Sequence, residues 1–380
     1  MKFNIFDFLK TRKSAVGIDI SDRSIKALLL RKESGGKIVA DAFSYLSIEE
    51  GVIENAQILD EEKLATIINE LFEKGQPHSI PKDKILVSLP DSKAFIKTFK
   101  VDISLKDQPL EDKIRELSAE SIPFEPEALY FDFEEVGIDK EKGEKEILFV
   151  GSPKEAVDKY VEVFKKIGLE NVIFDIESAS LARALLGKED ESSSVLILDM
   201  GARTTNLNLI DKGKICLNLT FPSGGNQLTK KIATNLKLSF EEADRLKMSL
   251  GLDKKSGENN ISPIINSFCT PLIENIKQES SYYEKRTGRK IETMIICGGS
   301  SLMTGIDACL EEKTGLKVKR IDPWIKWQIE ISQESDKIYF RKEAPVLYAN
   351  VIGLALRGLD KDPSKAGFNL LKYKGQPLSS

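Results

Sequence analysis

The chain has 380 residues, of which 41% are apolar and 31% charged, with a formal net charge of −4. This length suits about two domains with buried cores, and the composition excludes a disordered or fibrous chain. The acidic balance excludes a broad nucleic-acid face, which needs a basic surplus, and a single histidine, His78, excludes a histidine-rich metal site.

The N-terminal MKFNIFDFLKTRKS is not a signal-peptide pattern, because Asp7 interrupts its apolar part and most of its positive charge follows that part. It reads as a mobile leader that packs a phenylalanine or two, or as a short amphipathic contact. Residues 15–46 read as three strands: AVGIDI, IKALLLR and IVADAFSYL, with SGGK as a hairpin signal. Residues 60–75 read as a helix with Leu64, Ile67, Ile68, Leu71 and Phe72 on one face. From residue 84 the pattern changes. KILVSLP and AFIKTFKVD read as strands, EDKIRELSAES as a polar helix, and ALYFDFEEVG with EILFVG as a strand pair joined by DKEKGEKE. This predicts a small inserted α+β unit. A helix over 154–167 follows.

From Val195 the chain repeats strand, turn, strand, hairpin (DKGK) and strand. Next come a helix over 226–237 and a second helix opened by SFEE, where Ser239 and Glu242 make a capping box. SGENN (256–260) reads as a loop, PLIENIKQESSYYEKRTG as a long helix, MIICGGSS as a strand running into a glycine turn, and TGIDACLEEKTG as a helix. The longest apolar stretch, APVLYANVIGLALRGL, is too short to span a membrane and holds Asn350 and Arg357. Residues 360–380 read as an extended tail. The four cysteines, Cys216, Cys269, Cys297 and Cys309, are scattered with no CxxC pair and are expected to be reduced.

The repeat carries the chemistry. Asp19 and Asp199, half a chain apart, each end an apolar strand. Each is followed four places on by an arginine (Arg23, Arg203) and five places on by a hydroxyl (Ser24, Thr204). A tight hairpin turn of small residues offers backbone N–H groups to an anion. Two such turns facing one another across a cleft would hold a polyphosphate, and a carboxylate at each strand end would bind the water shell of Mg²⁺. Lys26 could reach a phosphate as a point charge. The glycines of IICGGSS and FPSGGNQLT suit close approach to a nucleotide. Asp244 and Lys247, three apart on one helical face, read either as a ribose or base contact or as a surface ion pair.

The order of these motifs resembles the actin-like ATPase superfamily, and within it the PilM family of type IV pilus assembly, related to the FtsA cell-division family. The carrying motifs are VGIDISDRSIK, SAESIPFEPEALYFDFE, VIFDIESASLARAL, LILDMGARTTNLNLI, FPSGGNQLTKKIA with EEADRLK, IICGGSSLMTGI and ANVIGLALRGL. The resemblance implies an α/β, duplicated RNase H-like, actin-like two-domain fold with an inserted SHS2-type subdomain. Residues 1–83 would be the first part of the first domain, 84–172 the inserted interaction subdomain and 173–194 a connecting helix. Residues 195–340 would be the second domain, 341–359 a helix returning to the first, and 360–380 the tail.

By position, the resemblance implies ATP and Mg²⁺ as cofactors. Asp19, Ser21, Ser24 and Lys26 would form the first phosphate loop; Asp199, Gly201, Thr204 and Thr205 the second, with Gly224 and Gly225 beside it. Gly298, Gly299 and Ser300 would meet the adenosine, and Asp244 and Lys247 the ribose. Asp19 and Asp199 would hold the Mg²⁺ shell. Glu177 and Asp199 are the catalytic candidates, Glu177 either orienting the attacking water or simply stabilising a helix N-terminus. Ser21 stands where the family usually has glycine, and Asp244 where glutamate is more usual. Ser21 puts fast hydrolysis in question more than binding.

The implied partner is the N-terminal peptide of a PilN-like membrane protein. The chain would then work on the cytoplasmic face of the inner membrane, touching the membrane only through that partner, with self-association open. GFNLLKYKG (367–375) resembles the short INLLP-type peptide of such partners without its proline. The tail would therefore occupy a partner groove, in its own chain or a neighbour's, or Phe368, Leu370 and Leu371 would simply pack on the domain. Two rival functions are an FtsA-like division protein, whose amphipathic membrane helix the Gly- and Pro-containing tail does not match, and a small-molecule kinase, for which no acceptor-binding base is evident.

Overall fold

The computed structural model describes residues 13–104, 108–253, 260–331 and 344–374. The N-terminal leader, most of the SGENN loop and the expected boundary between 340 and 341 lie outside the described residues. The chain divides into two compact units: unit 1 is Met1–Ala184 with Pro323–Ser380, and unit 2 is Leu185–Asp322.

In unit 1, β1 (Lys13–Ile20), β2 (Ser24–Lys32) and β3 (Ile38–Ser47) form an antiparallel meander. The short pair β4 (Ile53–Glu54) and β5 (Gln57–Ile58) leads into α1 (Glu61–Glu73). The Asp60 carboxylate caps α1 by accepting the Lys63 amide at 2.9 Å. β6 (Ile85–Leu89), β7 (Phe95–Asp102), α2 (Leu110–Ala119), β8 (Leu129–Asp139), β9 (Glu144–Pro153), α3 (Lys154–Lys166), β10 (Ile173–Ile176) and α4 (Glu177–Leu185) complete this part. Unit 2 holds β11 (Ser194–Met200), β12 (Thr205–Asp211), β13 (Lys214–Phe221), α5 (Gly225–Leu236), α6 (Phe240–Ser249), α7 (Ser262–Thr287), β14 (Ile291–Cys297), α8 (Ile306–Thr314) and β15 (Lys317–Lys319). The chain then returns to unit 1 through α9 (Pro323–Lys326), β16 (Glu330–Ile331), α10 (Ala349–Gly358) and β17 (Tyr373–Lys374).

The expected duplication is visible in the sheets. The first runs β10-β6-β1-β2-β3-β16 and the second β13-β12-β11-β14-β15. In each, the first strand is central, flanked by an antiparallel meander on one side and two parallel strands on the other. Both are the α/β arrangement of an actin-like fold. The meander turns follow local chemistry. DKGK closes β12 to β13 with Lys212 at φ 51° and Gly213 at φ 75°, the paired left-handed geometry of a tight hairpin.

Two boundaries fall elsewhere than the sequence suggests. KILVSLP, read with the insertion, is β6 and pairs parallel with β1 and β10 in the first sheet. Residues 323–331, read with the second domain, belong to unit 1, where β16 pairs with β3. Neither apolar run announces which sheet it joins, because parallel pairing is set by contacts far along the chain.

The insertion is a separate sheet, β17-β8-β9-β7, with α2 on it. Its core is aromatic: Phe99, Phe131 and Phe149 with Val101, Ile114, Leu129 and Ile147. In the main part of unit 1, α10 lies on β1 and is packed backbone to backbone. A Cβ at Gly17 would sit 2.4 Å from Val351 O, and one at Gly353 only 1.9 Å from Ser180 O of α4. Small residues on this seam draw α10 into the core, and Val351, Ile352, Leu354 and Ala355 are fully buried there.

Candidate functional site

In unit 2 the β11–β12 turn is the point on which two distant segments, residues 223–226 and 298–300, converge. Gly201 N donates to Thr204 O at 3.0 Å and closes the turn. Gly224 caps α5, Gly225 N donates to Gly201 O at 3.0 Å, and Asn226 N donates to Ala202 O at 2.7 Å. Ser300 Oγ donates to Gly201 O at 3.3 Å, and Thr205 Oγ1 donates to Ser223 O at 2.8 Å. Glycine is required where these segments meet. A Cβ at Gly225 would lie 2.3 Å from Ser300 Oγ, and one at Gly298, which has φ +79°, would lie 2.4 Å from Asp199 Oδ1. Gly299 is the opposite case: it is exposed, with nothing within 4 Å of a Cβ position, so a ligand can approach over this turn.

Asp244 and Lys247 are not a surface ion pair. Lys247 is buried, and its ammonium donates to Asp244 Oδ1 at 2.6 Å, Thr229 Oγ1 at 2.8 Å and Gly225 O at 3.3 Å. The pair thus ties α6 to the start of α5. Burial pushes the Asp244 carboxyl up, but the Lys247 ammonium and Thr229 hydroxyl outweigh it and hold the group below the usual carboxylate range. A carboxylate with a depressed folded-state pKa stabilises the fold above its unfolded pKa, near 4, and that contribution is lost as pH falls through the folded value. Asp244→Asn is therefore expected to show a shallower loss of stability below about pH 4 than the wild type. Urea midpoints across an acid series measure the difference, and superimposable curves would contradict the assignment.

In unit 1 the β1–β2 turn has the same geometry. Ser21 N donates to Ser24 O at 2.9 Å, as Gly201 N does to Thr204 O. Neither Ser21 nor Gly201 has a positive φ, so the departure from glycine leaves the turn intact. The Ser21 hydroxyl folds back onto Ser24 O at 2.9 Å and lies 3.0 Å from Ser24 Oγ. Asp19 faces Lys26 in register, and their charged groups lie 3.6 Å apart. The matching register in unit 2 pairs Asp199 with Asn206, a neutral amide. The copies thus differ in register: a lysine lies opposite Asp19 and an asparagine opposite Asp199.

Sequence reasoning missed the residues that hold Asp19. Asn350 Nδ2 of α10 donates to Asp19 Oδ1 at 2.7 Å and to Ser88 Oγ at 2.9 Å, and its Oδ1 accepts from Ser180 Oγ. Asp91, buried just beyond β6, accepts the Ser178 amide at 3.2 Å and hydroxyl at 3.1 Å. Glu177 opens α4 and accepts the Asp91 amide at 3.4 Å. Asp19, Asp91 and Glu177 all lie at the carboxyl ends of neighbouring parallel strands, where open α/β sheets bind ligands. The one available signal was Asn350, a polar residue in a helix whose only other polar side chain is Arg357.

The donor set suits a nucleotide-borne cation better than a protein cage. Among the described residues no three His, Cys, Asp or Glu side chains converge to hold a metal. Asn206 Oδ1 is buried without a hydrogen-bond partner, on the same sheet face as Asp199. A carboxylate beside an unspent acceptor fits hydrated Mg²⁺, which keeps its waters and takes few protein ligands.

The model of the type IV pilus assembly protein PilM family matches residues 17–359. A solved structure, the PilM-PilN type IV pilus biogenesis complex, is similar at a TM-score of 0.73 and 22% identity, covering 91% of this chain and 98% of that one. MreB5 of Spiroplasma citri bound to ADP is similar at a TM-score of 0.52 and 13% identity, covering 90% and 94%. The cell division protein FtsA of Streptococcus pneumoniae serotype 2 is 22% identical over 352 residues, 81% of this chain and 75% of that protein. Among the described residues no helix is long and apolar enough to cross a membrane.

Proposed function

Because the chain belongs to the PilM family of type IV pilus assembly proteins, we propose that it is an ATP-binding assembly protein, whose nucleotide state governs its engagement of the N-terminal peptide of a PilN-like membrane protein. The observation that carries the nucleotide reading is the convergence in unit 2 of Gly201, Gly225, Lys247 and Ser300 on one turn beside Asp199. Glycines crowd there, which lets a phosphate approach the backbone closely. Asp199 would accept hydrogen bonds from the waters of Mg²⁺, and Asp244 and Lys247 would sit toward the ribose. The β1–β2 turn of unit 1, closed in the same way, would by the same chemistry hold a phosphate. Bound Mg²⁺ would neutralise charge on the phosphates. Glu177, half-buried at the start of α4, is the residue we assign to orienting a water. The partner would bring the protein to the cytoplasmic face of the inner membrane.

Calorimetric titration of ATP with and without Mg²⁺ tests this reading. The wild type is expected to bind with Mg²⁺ dependence, and Asp199→Ala to bind at least about tenfold more weakly, a loss of roughly 1.4 kcal/mol. Equal binding by both proteins, or by neither, removes the site assignment.

A further inference from the structure

After α10 the chain turns back and lays residues 363–374 along unit 1. Two buried side chains of opposite charge hold it there. Arg357, fully buried, donates Nε to Pro363 O at 2.9 Å and Nη2 to Gly367 O at 3.1 Å, and its Nη1 donates to Phe368 O. Asp132 of β8, also buried, accepts the Asn369 amide at 3.0 Å and pairs with Lys372 Nζ at 2.8 Å. Leu370 N donates to Phe174 O at 3.0 Å, and the Phe368 and Leu370 side chains are buried. Tyr373 and Lys374 then add as β17 to the edge of β8, and the Tyr373 ring stacks on Phe131 and Phe133 at 5.4 and 5.2 Å. The tail lies on its own chain, with Phe368 and Leu370 buried and Leu371 only partly so.

The seat holds a turn-rich segment that ends in a two-residue strand. Arg357 and Asp132 direct hydrogen bonds chiefly to main-chain groups of the tail, which a peptide following the same backbone course also carries, while the Phe368 and Leu370 positions and the Lys372 contact select its sequence. Without an occupant, a buried guanidinium and a buried carboxylate would each lose partners, so the seat favours being filled. The tail is nevertheless added at an edge: β8, β9 and β7 pair with one another without it. Its joining residues 360–362 are exposed.

We propose that the seat of residues 363–374 is a peptide-docking surface, that the tail is its resident occupant, and that a partner segment of the pattern large apolar, polar, leucine, leucine, lysine displaces it. The identity of that partner as the membrane protein's N-terminal peptide rests on the function proposed above; the seat itself does not. A tethered tail acts at an effective concentration on the order of millimolar. It therefore weakens a competitor until released, which makes the tail a threshold on assembly.

The test uses the full chain with a protease site inserted after Lys361, before and after cutting. A fluorescently labelled peptide of residues 362–374 is followed by anisotropy, and the fold by tryptophan fluorescence. The cut protein is expected to stay folded and to bind the labelled peptide at least tenfold more tightly than the uncut protein. A Leu370→Asp peptide should not bind. Unfolding on cutting, failure of the peptide to enter the cut protein, or equal binding to cut and uncut protein would each overturn the proposal. Unlabelled partner peptide is then added as competitor. If the tail peptide exchanges but the partner peptide does not displace it, the seat stands and the partner reading fails.

Discussion

Arg357→Met is expected to lower the stability of unit 1 by about 3–5 kcal/mol, the cost of breaking a buried ion pair by removing one partner. Arg357 Nη1 lies 2.7 Å from Asp175 Oδ2, and both side chains are fully buried. Asp175 keeps a second cation, Arg183, at 3.3 Å. That contact moderates the charge imbalance but leaves the carbonyls of Pro363, Gly367 and Phe368 without their donor. Asp175→Leu alone leaves the buried Arg357 guanidinium and the partly buried Arg183 guanidinium without a carboxylate between them and should also be strongly destabilising. In the double variant neither charge of the 2.7 Å pair is stranded, so its loss should fall well short of the two single losses added together. Both tryptophans, Trp324 and Trp327, belong to unit 1, so their fluorescence in urea reports that unit's transition. A single-variant loss below about 1 kcal/mol, the range of an exposed pair, would show that solvent reaches the site.

What the sequence made legible was local or periodic. The Ser239 capping box is present, with Glu242 N donating to Ser239 Oγ at 3.2 Å and Ser239 N to Glu242 Oε2 at 3.0 Å. The helix expected over 154–167 is Lys154–Lys166, and that over 226–237 is Gly225–Leu236. The repeat of strand, Asp and turn marks the same position in two sheets of the same strand order, because a strand end and its turn are encoded within a dozen residues. What stayed hidden depends on pairs far apart in the chain. Asn350 and Asp19 are separated by 331 positions, and nothing near either names the other. The insertion's boundary was hidden for a similar reason: β6 is an apolar run that would serve in either sheet. Lys26 shows the limit of reading a motif by spacing. Its place seven residues after Asp19 suggested a phosphate contact, and the spacing alone did not reveal that the register also puts its ammonium 3.6 Å from the aspartate.

Gly353→Ala is expected to destabilise unit 1 by about 2–3 kcal/mol, the range for forcing an added methyl group into a packed seam. Helix propensity alone gives the opposite sign, since alanine is the better helix former by about 1 kcal/mol. The seam decides between them: the new Cβ would lie 1.9 Å from Ser180 O, a backbone atom of α4, so one helix must move. Asn350, Gly353 and Arg357 are spaced three and four apart and share one stripe of α10. Asn350 at one end holds Asp19, and Arg357 at the other holds Asp175 and the tail. Lifting α10 from α4 therefore loosens both ends at once. Amide hydrogen exchange should show lost protection both at the β1–β2 turn and at residues 367–370. Asn350→Ala, which deletes the hydrogen bonds to Asp19, Ser88 and Ser180 without adding a group to the seam, should loosen only the turn. Unchanged or raised stability in Gly353→Ala would mean that α10 and α4 are not packed backbone to backbone. Loss of protection at the turn alone would mean that α10 does not move as one rigid element.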